Sequence, residues 1–150
     1  MPAHSKQRAA ASALTADALR PVLVRLVRDL RREATALGIT IGQADALARI
    51  AERPGLGVRE LAELEGIAAP TAWGLIERLE RDGLISRVRS DNDRRRVMLN
   101  PTAAGRRMLR SLRTRGTIRL AERLEQLEER DRAAIAAALG PLARLGGGER

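Results

Sequence analysis

The chain has 150 residues, 44% of them hydrophobic, with 28 basic residues against 19 acidic ones and a formal net charge of +9. That length suits one domain, or one domain with long flanking helices, and the apolar fraction is enough to build a core. The core must be aliphatic, because Trp73 is the only aromatic residue, and the absence of cysteine excludes disulfides, thiolate metal sites and thiol redox sensing. The single histidine, His4, leaves no imidazole pair for a transition metal. There is no P-loop and no glycine-rich dinucleotide turn, so the expectation is a non-enzyme without cofactor or metal. No apolar run approaches the ~18 residues of a membrane span, and the first residues lack an apolar signal core; a cytoplasmic location away from any membrane is expected.

Residues 1–12 are small, polar and weakly basic, and read as a disordered arm. From Ser12 onward Leu19, Val22, Leu23, Leu26, Val27, Leu30, Ala34 and Leu37 recur in steps of three and four, the spacing of one helix face. Pro21 should bend this helix or mark its start, and Gly38 should end it. Thr40 and Gln43 form a capping-box pattern, opening a helix with Leu47 and Ile50 that Pro54-Gly55 stops. A short helix follows over residues 58–65 with Val58, Leu61 and Ala62 inward, and Gly66 supplies a turn. Glu65 does not fit it. Four residues after Leu61 it falls on the inward side, so either the short helix is rotated or Glu65 is half-buried near a helix C-terminus, where its charge has the wrong sign for the dipole.

Pro70 suits the first turn of the next helix, which should run to Asp82 and end at Gly83 with Ala72, Leu75, Ile76 and Leu79 inward. Strands over residues 85–89 and 96–100 flank Ser-Asp-Asn-Asp, which is strong turn chemistry. Thr102 then caps a long helix carrying Met108, Leu109, Leu112, Leu120, Leu124 and Leu127, with Gly116 as a weak point. A last helix from near Arg130 holds Ala134, Ile135, Ala138, Leu139, Leu142 and Leu145, and Gly140-Pro141 should kink or divide it. The fold class is therefore mainly α with a small β-hairpin: a helix-turn-helix followed by a hairpin wing. Residues 39–101 form that lobe, residues 13–38 and 102–145 are flanking helices, and residues 146–150 are a loose tail.

Charge is concentrated beside the lobe. Residues 84–119 contain eleven arginines and two aspartates, a net +9, so the remainder of the chain sums to zero. Charge gathered next to a helix-turn-helix is what a double-stranded DNA backbone requires. The flanking helices carry wide aliphatic stripes, which bury against another helix. A second copy of the chain is the simplest partner, since two-fold homodimers are the commonest oligomers.

In this order and spacing the chain resembles the MarR family of bacterial transcriptional regulators over about residues 14–145. The matching pieces are Leu61-Ala62-Glu63, Gly66-Ile67, Pro70-Thr71, RLERDGLI from Arg78, the Asp93-Arg94-Arg95 wing, and Thr102 with Gly105. The resemblance implies a homodimer whose terminal helices form the base, with two winged lobes on a palindromic operator. It implies repression, with release by a small aromatic or phenolic ligand. With one aromatic residue, a pocket here would be aliphatic with arginine at its rim, which suits an amphipathic acid.

The residues expected at DNA follow from groove geometry. The N-terminal part of a recognition helix meets base edges in the major groove, and its outward positions here include Pro70, Thr71, Trp73, Gly74 and Arg78. Trp73 and Gly74 both depart from the family's usual polar residues. Trp73 has two open readings: an apolar contact with thymine methyls or sugars, or a fold-back over Leu64. Arg78 also has two, a DNA contact or a brace to Asp82 or Asp93. On the hairpin, Arg94 and Arg95 flank the tip that tracks the minor groove, and Arg87, Arg89 and Arg96 hold flanking phosphates. The family pattern makes Asp93 the carboxylate that fixes the wing. The competing reading of the whole chain is a nucleoid-type protein that binds DNA with little sequence preference.

Overall fold

The computed structural model describes residues 2–89 and 97–146, with side chains from Lys6 onward. Six helices and three short strands follow one another: α1 (Pro2–Ala36), α2 (Ile41–Glu52), β1 (Leu56–Gly57), α3 (Val58–Glu65), α4 (Ala69–Arg81), β2 (Ile85–Arg89), β3 (Val97–Pro101), α5 (Ala103–Glu125) and α6 (Glu129–Leu145). The chain forms two compact units, Met1–Leu112 and Arg113–Arg150.

The first unit holds the core. Leu47, Ile50, Leu61, Ile76, Leu79 and Leu99 are its largest fully buried side chains, contributed by α2, α3, α4 and β3. Leu84 and Ile85 close it beneath the hairpin, and Ala104, Met108, Leu109 and Leu112 of α5 pack against it. As the composition requires, it is wholly aliphatic. The expected inward residues of α2 and α4 are buried, apart from Leu75, which is partly covered, and Gln43, Ala44 and Ala46 of α2 are buried with them. The capping box is formed as read. The Gln43 amide donates to Thr40 Oγ1 at 3.2 Å, and the Thr40 amide donates to Gln43 Oε1 at 3.0 Å.

The turn between α3 and α4 rests on Gly66, whose φ of +62° is a left-handed conformation that side chains disfavour. Ile67 N–H donates to the Ala62 carbonyl and Gly66 N–H to that of Glu63, the two bonds of a Schellman end. The sheet has the order β1-β3-β2. In the antiparallel hairpin Ile85 faces Pro101, Arg87 faces Leu99 and Arg89 faces Val97. The two-residue β1 pairs Leu56 with Leu99. It is too short to leave an alternating pattern in the sequence.

Two expectations are corrected, the N-terminal arm and the end of the second strand, and one alternative for each proline is removed. The arm expected over residues 1–12 is helical from Pro2, continuous with α1. Its Ala9, Ala10, Ala11 and Ala13, among Lys, Gln and Arg, are strong helix formers, and this local propensity outweighs the absence of an apolar face. Pro21 lies inside α1 rather than at its start, and Pro141 inside an undivided α6, which leaves a bend as the expected effect of each. The second strand runs one residue further than expected and includes Pro101, buried at its end. A proline is tolerated in a terminal strand position. In the second unit, α6 has no buried residue, and Ile135, Leu139, Leu142 and Leu145 are exposed.

Candidate nucleic-acid interface

The candidate interface residues are set by α4. Its start lacks a side-chain cap; the Ala68 carbonyl instead accepts from Thr71 N–H at 2.9 Å and Ala72 N–H at 3.1 Å, with Pro70 in the first turn. With Ala72, Ile76 and Leu79 buried, the helical period turns Pro70, Thr71, Trp73 and Arg78 outward, and all four are exposed. Gly74 is half-buried, and a Cβ placed there meets nothing within 4 Å. At the far end Gly83, with φ of +68°, turns the chain into β2. Leu84 N–H donates to the Leu79 carbonyl at 2.8 Å there, and Gly83 N–H to that of Glu80 at 2.9 Å.

One hydroxyl then ties this turn to α5. Thr102 Oγ1 donates to the Gly83 carbonyl at 2.7 Å, with the Leu84 carbonyl at 3.1 Å, and accepts from Gly105 N–H at 3.1 Å. The first turn of α5 presses so close that a Cβ at Gly105 would lie 2.1 Å from the Leu84 carbonyl oxygen. The Thr102–Gly105 motif is therefore a packing motif: a cap, and a helix face with no room for a side chain. It fixes where the hairpin leaves α4.

Trp73 is 40% exposed, and neither of its two sequence readings anticipates its neighbour. The Arg87 guanidinium lies 5.9 Å from the centroid of its ring, a cation–π distance. Arg87 also pairs with Glu80 of α4, and that bond is the main cause holding its guanidinium above its ordinary value. Arg89 and Arg78 are exposed and have no ion-pair partner among the described residues; for Arg78 an intrahelical pair with Asp82 is not formed. Asp93, Arg94, Arg95 and Arg96 lie outside the described residues.

Glu65 finds its explanation in α2. Its side chain is 17% exposed and accepts from Arg49 Nε at 3.2 Å, while Leu64 beside it is 43% exposed. The short helix is thus not rotated; an arginine from the preceding helix neutralises the awkward carboxylate. Residues sixteen apart carry no periodic signal, so the pair is hidden in the sequence. Glu80 is absent from the sequence reading too, although its place two turns after Trp73 on one helix face is readable.

Among the described residues no group of three or more His, Cys, Asp or Glu side chains could hold a metal, and no helix is long and apolar enough to cross a membrane.

The sequence model of the MarR family matches residues 39–97, from just before α2 to the start of β3. An uncharacterized HTH-type transcriptional regulator of Bacillus subtilis (strain 168), YfiV, is 30% identical over 108 residues, covering 72% of this chain and 68% of that protein. The homoprotocatechuate degradative operon repressor of Escherichia coli is 32% identical over 79 residues; the match covers 53% of this chain and about half, 51%, of that repressor. A solved structure of a putative transcriptional regulator from Pseudomonas aeruginosa PA01 superposes with a TM-score of 0.79 at 31% identity, covering 92% of this chain and 97% of that one.

Proposed function

The chain belongs to the MarR family of transcriptional regulators, and from that premise we propose that it represses transcription as a homodimer bound sequence-specifically to a palindromic DNA operator. The observation that carries the reading is the surface around α4. An exposed Pro70-Thr71 start and an exposed Trp73 stand on the helix that leads into β2 with its exposed Arg89, and the sequence adds Arg94, Arg95 and Arg96 between β2 and β3. A helix of this kind fits the major groove, and an arginine-rich hairpin fits the adjoining minor groove and its phosphates.

Repression is supported by the E. coli relative, whose name is that of an operon repressor. The homodimer is supported by aliphatic side chains left in solvent: Val22, Leu23, Leu26, Val27 and Leu30 on α1, and Ile135, Leu139, Leu142 and Leu145 on α6. Residues 13–38 and 102–145 are accordingly assigned to dimerisation, and residues 39–101 to DNA. The releasing ligand is assigned to the class of small amphipathic or aromatic acids, which arginine side chains bind through the carboxylate. A regulator of this kind works in the cytoplasm.

Selection of bound sequences from random DNA, followed by a footprint on the region upstream of the gene, tests the reading. One enriched palindrome, bound ~10³-fold or more above random duplex at physiological salt, is the expected result. A flat selection with equal affinity for all duplexes would overturn sequence-specific regulation and leave a nucleoid-type protein.

A further inference from the structure

Trp73, Glu77 and Glu80 stand at i, i+4 and i+7 on α4 and so share one face of that helix. It is neither the buried face of Ala72, Ile76 and Leu79 nor the stripe of Thr71, Gly74 and Arg78. Arg87 of β2 lies across it, paired with Glu80 and with its guanidinium 5.9 Å from the Trp73 ring centroid. The charge of Glu77 acts on the same guanidinium. The Arg87 and Glu80 side chains are 35% and 34% exposed, so about two thirds of each is covered.

This guanidinium is not a free cation. To reach a phosphate it would have to leave Glu80 and uncover the tryptophan ring. Leaving Glu80 would also expose two carboxylates, those of Glu77 and Glu80, on the helix that approaches DNA. With Arg87 in place, the carboxylates are screened and the ring is held.

We propose that Arg87 is a positioning residue which, clamped by Glu80, holds the Trp73 ring and sets α4 relative to the hairpin, so that it governs sequence discrimination without neutralising a DNA phosphate. This replaces the phosphate contact expected for Arg87 from the sequence. It rests on the DNA-binding reading above for its effect, though not for the clamp itself. The arrangement splits the arginines near α4 into two kinds. Arg78 and Arg89 are exposed with no ion-pair partner among the described residues, whereas Arg87 is engaged within the protein.

The test uses the full-length protein, with helical circular dichroism to establish that each variant is folded. Trp73 is the only tryptophan, so its emission and its quenching by acrylamide report the clamp directly, without DNA. Arg87→Ala and Glu80→Gln should each make Trp73 more accessible to acrylamide; unchanged quenching in both would overturn the clamp. Binding is then measured against salt, using a duplex carrying the selected sequence and a random duplex of equal length. Arg87→Ala should lower the ratio of selected to random affinity roughly tenfold, the scale of one impaired base-pair readout, and leave the salt slope unchanged. Glu80→Gln, which frees the guanidinium, should steepen that slope by about 0.9. If Arg87→Ala instead makes the slope shallower by about 0.9 and weakens both duplexes equally, Arg87 is a phosphate contact and the proposal falls. Failure of the wild-type protein to bind either duplex would sink the DNA-binding reading, while the quenching measurement would still decide the clamp.

Discussion

Two glycines on neighbouring helices have opposite reasons to exist. Gly105 faces the Leu84 carbonyl at a distance no side chain tolerates, whereas a Cβ at Gly74 meets open space. Gly105→Ala should destabilise the fold toward the upper end of the ~1–3 kcal/mol typical of overpacking. Gly74→Ala should stabilise it by ~0.5–1 kcal/mol, because glycine inside a helix loses more freedom on folding. Denaturant melts of the two variants give opposite signs, and equal signs would contradict this packing. Asp45 offers a pH test. Although Asp45 is exposed, partial desolvation first, and the charge of Glu65 second, hold its carboxyl above the ordinary value, against the opposing charge of Arg49. The folded chain therefore keeps this proton more tightly than the unfolded one, and stability is lost as pH rises through the raised value. Asp45→Asn should melt at a higher temperature than the parent at neutral pH, and the gain should shrink to nothing as pH falls below the carboxylate range. A gain that persists in acid would assign the effect to something other than charge.

At the scale of elements, the hairpin is where DNA affinity should be most sensitive to single arginines. Arg95→Ala should weaken binding to selected and random duplexes alike and make the salt dependence shallower by about 0.9 for each phosphate no longer neutralised, without changing the melting temperature. An unaltered slope and affinity would remove Arg95 from the interface. The elements themselves are largely readable from the chain. Val58–Glu65 has the bounds the sequence predicts, and β2 starts at the expected Ile85, because Gly66 and Gly83 end the helices that precede the turn and the strand. What escapes the sequence depends on contacts between distant residues. β1 exists only because β3 pairs with it, and the Arg49–Glu65 and Glu80–Arg87 pairs join different elements. The start of α1 escapes for a different reason: amphipathic spacing is missing where alanine content alone sustains the helix.

At the scale of the whole molecule, the exposed aliphatic side chains are where the proposed dimer is tested. A monomer would leave the α1 stripe through Val22, Leu26 and Leu30 in water, with Leu26 39% exposed at its middle. Leu26→Arg should shift the chain from dimer to monomer in sedimentation, with a matching loss of affinity for a palindromic duplex as the two half-sites cease to be held together. The lobe core contains no α1 residue before Ala34, so the variant should keep a folded first unit. A wild-type protein that sediments as a monomer at micromolar concentration while binding the palindrome tightly would refute the assignment of these helices.

The hydroxyl of Thr102 serves two helix ends at once, and that has a kinetic meaning. It caps α5 through Gly105 N–H and holds the carbonyl of Gly83 after α4, while Thr102 N–H donates to the Leu84 carbonyl at 3.0 Å. Neither end can fray without releasing the other, so the close of α4 and the opening of α5 belong to one cooperative opening event. In hydrogen exchange the amides of Leu84, Thr102 and Gly105 should share a single opening free energy. Thr102→Val, which keeps the shape and deletes the bond, should split them into two populations that exchange independently.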